Sequence, residues 1–155
     1  MVRFSEILGK DCINLNLKSK KKKDTIRELV DLIYKAGKIK DPQKVEKELI
    51  EREKIGTTGI GGGIAVPHIM TKEISGTVMA FGRKKEGLDF DAIDGEPVKL
   101  IFLLIGPKGE EATHLRLLCR LSRFLHDTQF KKALTEAKRE EDVIEAFKKK
   151  EEEEG

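Results

Sequence analysis

Residues 98–106 read Val-Lys-Leu-Ile-Phe-Leu-Leu-Ile-Gly, apolar at nearly every position. A strand with one wet face alternates apolar and polar residues, because successive side chains point to opposite sides. A run without that alternation has to be covered on both faces, which makes it the central strand of a layered α/β sheet. The rest of the chain supplies the cover. Thr77–Lys84 (TVMAFGRK) reads as a second strand, and Cys12–Leu17 as a short one after a helical turn at Ser5–Leu8. In residues 24–37, Ile26, Leu29, Val30 and Ile33 recur at i, i+3, i+4, i+7, predicting an amphipathic helix with Asp24 as N-cap and Gly37 as stop. Residues 41–56 predict another: Asp41 caps, Pro42 takes the first helical position, Gly56 ends it, and Val45, Leu49 and Ile50 form the buried stripe. A third is expected over residues 110–127, lined by Leu115, Leu118, Ser122 and Leu125, and two more near Thr128–Lys138 and Glu141–Lys150. Helices before, between and after strands predict one α/β domain over residues 1–150, with a single sheet and helices on both its faces. The charged end, residues 151–155, is expected to fray.

The 155 residues carry 31 basic and 28 acidic side chains, a net charge of +3. A dedicated nucleic-acid binder concentrates basic charge on one face, and so even a balance argues against one. The Lys20–Lys23 run has no interleaved aromatics and reads as solvated charge leading into a helix. Cys12 and Cys119 lie far apart with no Cys or His at metal-ligand spacing, so both read as buried small hydrophobes in a reducing compartment. No stretch resembles a secretion signal, and no apolar run nears the ~18 residues that span a bilayer. The expectation is a soluble, cytoplasmic protein without cofactor or metal.

The chemistry concentrates in residues 59–69, Gly-Ile-Gly-Gly-Gly-Ile-Ala-Val-Pro-His-Ile. Glycine clusters suggest a phosphate cradle, but the nucleotide motifs fail. The dinucleotide fingerprint started at Gly59 puts Ile64 where a third glycine is required, and a helix rather than a strand precedes it. A P-loop started at Gly56 puts Gly62 where lysine is required. What remains is a turned backbone with uncovered N–H groups, followed by Val66-Pro67-His68. Proline fixes its own φ and keeps the preceding residue extended, so the histidine is presented from an extended segment. Neutral imidazole is a good nucleophile near neutral pH. Exposed amides, a guanidinium at the end of the preceding helix (Arg52) and a nucleophilic nitrogen together describe a site that accepts a phosphoryl group, where positioning and positive charge do most of the catalysis.

The segment Glu51–His68 (EREKIGTTGIGGGIAVPH) resembles the active-site segment of the enzyme IIA domains of the phosphoenolpyruvate-dependent phosphotransferase system, of the fructose/mannitol type and its nitrogen-regulatory paralogue. The pattern is an Arg-Glu pair, here Arg52-Glu53, then Thr58-Gly59-Ile60-Gly61 and Gly63-Ile64-Ala65-Val66-Pro67-His68. The likeness continues through FDAIDGEPVKLIFLL and THLRLLCRLSRFL and covers nearly the whole chain. It implies a mixed sheet of about five strands between helices. It also implies that His68 is phosphorylated by the phosphohistidine carrier HPr, that His114 is a second active-site histidine beside it, and that Arg52 stabilises the phosphorylated site through its planar, paired donors. The acceptor implied is a sugar-specific enzyme IIB, or, in the nitrogen-regulatory version, a regulatory target protein. FDAIDGEPV is shared by the nitrogen-regulatory and fructose branches.

His126, at the end of the third helix, reads as structural, a cation complementing the helix dipole. Three unspaced histidines without suitable cysteines do not make a metal site. The competing function is an anion- or nucleotide-binding module that uses the Gly59–Gly63 loop without phosphoryl transfer, with His68 as a mere ligand.

Overall fold

The computed structural model describes residues 2–154. In chain order the elements are α1 (Phe4–Ile7), β1 (Ile13–Asn14), α2 (Lys22–Lys35), α3 (Pro42–Ile55), β2 (Gly59–Gly61), β3 (Ile64–Ala65), β4 (His68–Thr71), β5 (Val78–Leu88), β6 (Val98–Pro107), α4 (Glu111–Leu125), α5 (Thr128–Glu136) and α6 (Glu140–Glu154). The sheet runs β1-β5-β6-β3-β2, with β4 also paired to β6. β6 is the central strand its composition demands: every residue except Lys99 is buried, β5 lies antiparallel on one edge, and β3 and β4 lie parallel on the other.

Both faces of the sheet are covered, and residue parity shows by what. Phe81 and Phe102 are cross-strand partners on one face, with ring centroids 5.1 Å apart. Phe147 of α6 packs on Phe102, and Phe4, Phe124 and Phe130 gather around Phe147, so α1, α4, α5 and α6 share this side. The neighbouring Gly82 faces the opposite layer, where a Cβ would come within 2.7 Å of Leu17 and 3.0 Å of Leu29 on α2. Each buried phenylalanine contributes roughly 1.5–3 kcal/mol from area alone.

Local signals act as the chain chemistry requires. Asp41 accepts from the Lys44 N–H at 3.1 Å, with Pro42 in the first turn of α3. Gly37 (φ 77°) ends α2 in a Schellman arrangement: its own N–H donates to Tyr34 O and the Lys38 N–H to Ile33 O, both at 3.0 Å. Asp24, expected as N-cap, instead lies inside the first turn, because Lys21 bridges to Asp89 and takes the cap position.

Three expectations need correction. The glycine segment is not a loop but a hairpin, β2–β3, which brings the sheet to six strands. Its turn is Gly62-Gly63, with φ of 65° and 79°, the paired positive values of a type I′ turn. Second, α4 buries His114, Leu117, Arg120, Leu121, Phe124 and Leu125; of the expected stripe Leu125 is buried, while Leu115 and Ser122 are exposed, as is Cys119. The expected stripe was set by hydrophobicity, whereas the helix turns two polar residues inward: Arg120 meets the carboxylates of α6, and His114 packs over Gly106 of β6. Third, the acidic end is helical through Glu154. Glu151 is buried and accepts from the Phe4 N–H at 2.6 Å, the Ser5 N–H at 3.1 Å and the Ser5 hydroxyl at 2.7 Å, while Arg120 pairs with Glu151 and Glu154. A charged tail frays only where its charges find nothing better than water; here they cap α1 and pair with a buried arginine.

Candidate active site

The site is assembled along one edge of β6. β3 and β4 occupy that edge in succession and in a single register: Ile64 pairs with Leu100, Ala65 with Ile101, His68 with Leu104 and Thr71 with Pro107. Val66 and Pro67 interrupt the ladder. Pro67 has no N–H to offer but still accepts from the Leu104 N–H at 3.0 Å, so the strand resumes without slipping. Register then decides direction. Partners in a parallel pair share a face, so His68 projects on the side of Leu104, toward α4.

On α4, His114 is 7% exposed and lies over Gly106 of β6. A Cβ at Gly106 would approach its Nδ1 to 2.6 Å, so only glycine leaves room for the ring. The two imidazoles stand 5.7 Å apart between centroids, tilted by 46°. His114 is not at the helix start, as the sequence suggested. It is the fourth residue of α4, its N–H already bonded to Glu110 O at 3.1 Å, so what it offers the site is its side chain.

Hydrogen bonding sets the state of both rings. His68 Nδ1 lies 2.7 Å from the Val66 carbonyl oxygen. A carbonyl only accepts, so Nδ1 carries the proton and Nε2 keeps its lone pair. His114 Nδ1 is buried with no partner among the described residues. An orphaned N–H is costlier than an orphaned acceptor, which places the proton of His114 on Nε2. Burial, and secondarily the nearby His68, holds the pKa of His114 below the ordinary histidine value. His114 is therefore held toward its neutral form, and the surroundings of each Nδ1 define the tautomer of each neutral ring.

Arg52, Thr57, Thr58, Ile60, Val66 and His68 line a cleft of about 260 Å³, closed by α4 on the other side. Arg52 is in the last turn of α3 and donates to Gly56 O at 2.9 Å, closing the end of its own helix. His126 is exposed, and its Nδ1 lies 2.8 Å from Ser122 O at the end of α4. The three site residues expected from the sequence thus meet around one edge: Arg52 shares the cleft with His68, and His114 stands beside the His68 ring.

The hairpin is held from behind by the loop between β5 and β6. Thr57 donates its hydroxyl to Phe90 O at 3.0 Å, the Ile93 N–H donates to Gly59 O at 3.0 Å, and the Gly62 N–H donates to Asp94 Oδ2 at 3.0 Å. A Cβ on Gly59 would lie 2.8 Å from the Ala92 backbone. Amide bonds from Glu96 and Gly62 hold the Asp94 carboxyl below its ordinary pKa. A carboxylate thus already occupies the Gly62 amide at the hairpin tip, which counts against the anion-binding alternative. In the sequence Asp94 and Gly106 carried no part, Gly59 stood only as part of the glycine loop and Glu53 only as the acid of the Arg-Glu pair. The signals present were a glycine ending an apolar strand and an acid beside Arg52, and neither names its partner.

Comparison with known proteins agrees with this geometry. Residues 6–150 match the family described as phosphoenolpyruvate-dependent sugar phosphotransferase system, EIIA 2. The chain is 40% identical over 143 residues to the fructose-specific EIIABC component of Bacillus subtilis, matching 92% of this chain but spanning only 22% of that protein's length. It is 37% identical over 140 residues to the fructose-specific EIIA component of Haloferax volcanii, covering 90% of this chain and 91% of that one. The crystal structure of nitrogen regulatory protein IIA-Ntr from Neisseria meningitidis superposes with a TM-score of 0.86 at 31% identity, covering 92% of this chain and 97% of that one. With its mixed sheet and its two facing histidines, the chain belongs to the type 2 EIIA family of the phosphoenolpyruvate-dependent sugar phosphotransferase system.

Proposed function

We propose that His68 is the phosphoacceptor, that phospho-HPr is the donor, and that an enzyme IIB of the fructose type is the acceptor. The observation that carries the reading is the 2.7 Å contact of His68 Nδ1 with Val66 O, which leaves Nε2 as the nucleophile. The Nε2 lone pair attacks phosphorus, the P–N bond of the donor phosphohistidine breaks, and the donor nitrogen recovers its pair. No proton has to move. The His68 ring keeps its Nδ1 proton and gains positive charge, which the Val66 carbonyl stabilises. The phosphoryl oxygens, carrying about −2 in charge, need donors. His114 Nε2–H is one, and Arg52 has N–H groups beyond the one bonded to Gly56 O. Onward transfer repeats the exchange with the acceptor's nucleophile.

The fructose-type acceptor is supported by the names of the two relatives above, at 40% and 37% identity. A nitrogen-type signal is the second reading, supported by the fold match to IIA-Ntr at a TM-score of 0.86. One experiment addresses both steps. The protein is incubated with phosphoenolpyruvate, enzyme I and HPr, and intact mass is followed before and after adding a fructose-type IIB. The expected result is one acid-labile phosphoryl group, absent from His68→Ala and discharged by IIB. Full labelling of His68→Ala would overturn the assignment of the acceptor residue. Labelled wild type that IIB does not discharge would turn the reading to regulation.

A further inference from the structure

The Arg52-Glu53 pair enters the site through two different routes, and only the arginine faces the cleft. Glu53 turns inward: its side chain is 5% exposed and lies 2.8 Å from Lys22 Nζ. Lys22 is itself fixed, its ammonium 4.8 Å from the Phe90 ring centre and 3.6 Å from Asp91. The Glu53 carboxylate also receives both donors of one residue, the Thr58 N–H at 3.2 Å and the Thr58 hydroxyl through a short bond. A buried carboxylate is costly to hold unless paired and hydrogen-bonded; this one is paired with Lys22, and its hydrogen bonds go to a single loop residue. Thr58 is 3% exposed, and its carbonyl accepts from the Val66 N–H at 3.0 Å. Val66 in turn supplies the carbonyl that holds His68 Nδ1 at 2.7 Å. Because Pro67 has no N–H, Thr58 holds Val66 from one side and the Pro67–Leu104 bond anchors the chain on the other.

We propose that Glu53 is a positioning residue for His68, holding Thr58 so that the Val66 carbonyl stays aimed at Nδ1 and the nucleophilic lone pair stays on Nε2. The inference rests on His68 being the phosphoacceptor, and it places the acid of the Arg-Glu pair three contacts away from the chemistry. Outer partners that orient metal-bound imidazoles typically change activity about 10–100-fold when removed, and an effect of that order is expected for an imidazole whose nucleophilic nitrogen has to be set.

The test compares wild type with Glu53→Asp, which keeps the charge opposite Lys22 but withdraws the oxygens from Thr58. A second variant, Glu53→Gln, keeps an acceptor oxygen for Thr58 but breaks the ion pair. Long-range 1H–15N spectra of the unphosphorylated proteins read the tautomer of His68, and single-turnover labelling by phospho-HPr reads the rate, both below the melting temperature of each variant. The expected result for Glu53→Asp is a mixed His68 tautomer and labelling about 10–100-fold slower at saturating phospho-HPr, with the KM for the carrier unchanged. Glu53→Gln is expected to stay nearer to wild type in both. A wild-type tautomer and rate in Glu53→Asp would overturn the proposal and leave Glu53 a stability residue only. Should one of the two variants not fold, Thr58→Ala, which removes the hydroxyl tether, carries the same expectation and the same overturning result. If the wild type takes no label on His68, the phosphoacceptor reading fails instead, and the tautomer spectra still decide whether Glu53 orients the ring.

Discussion

His68 and His114 are the same residue type given opposite tautomers by what each Nδ1 touches: a carbonyl in one case, a strand glycine in the other. Two predictions belong at this scale. Arg52 already donates to Gly56 O, so under the proposed function its hold on the phosphate would rest on the remaining N–H groups of its fork. Phosphoryl exchange with HPr should fall in the order wild type, Arg52→Lys, Arg52→Ala, the last slower by about 10²–10³. Equal rates at fixed ionic strength would show that the phosphate is held without it. The second concerns pH. The pKa of His114 is lowered, mainly by burial, so the unfolded chain binds a proton more readily than the folded one. Stability should therefore drop as pH falls through the ordinary histidine range and stay level above it. His114→Gln should remove that part of the slope in denaturant titrations at a series of pH values, and an unchanged slope would show that burial of His114 is not coupled to stability. The extended presentation of His68 was legible in the sequence because glycine and proline act locally, whereas Arg52 was singled out by the resemblance to the enzyme IIA segment. Glu53 was not, because its partners Lys22 and Thr58 come together only through folding.

At the scale of elements, the site depends on registers between strands more than on the hairpin that draws attention in the sequence. β3 and β4 share one register on β6, broken only at Val66-Pro67, and that register turns His68 toward α4. The helix is seated by Gly106, where a Cβ would stand 2.6 Å from His114 Nδ1 in the buried stretch of β6. Gly106→Ala is therefore expected to lower stability by about 1–3 kcal/mol and to displace the His114 ring. Onward transfer should slow more than initial labelling, read by adding a cognate IIB to prelabelled protein. Wild-type transfer together with an unmoved His114 resonance would show that the helix has room to give. The helices and the central strand were readable because apolar spacing reports a buried face directly. The phase of α4 was not: His114 turns inward against Gly106 of β6 and Arg120 toward the carboxylates of α6, which the spacing of leucines does not encode.

Across the whole molecule, the two ends of the chain are fastened to each other beneath the aromatic layer. Glu151 caps α1 through Phe4 and Ser5, and Arg120 joins Glu151 to Glu154. Truncation after Lys150 leaves Arg120 buried without its carboxylates and should cost about 3–5 kcal/mol. Phosphorylation of His68, assayed below the new melting temperature, should persist, since none of these groups reaches the cleft. A truncated chain that melts like the full one would show the clamp to be idle. Phe147→Ala, at the centre of the same layer, should cost about 3–5 kcal/mol by emptying the contacts with Phe4, Phe102 and Phe130. What the sequence by itself determined is everything that depends on neighbours along the chain: the covered central strand, the Asp41 and Gly37 helix ends, the glycine turn and the extended Val66-Pro67-His68 that presents the histidine. Only the tertiary structure decided which polar groups are buried and what they face. The burial of His114 against β6, the inward turn of Glu53 toward Lys22 and the order in the acidic end all arise from contacts between residues distant in sequence, and a buried polar group takes its state from what replaces its water.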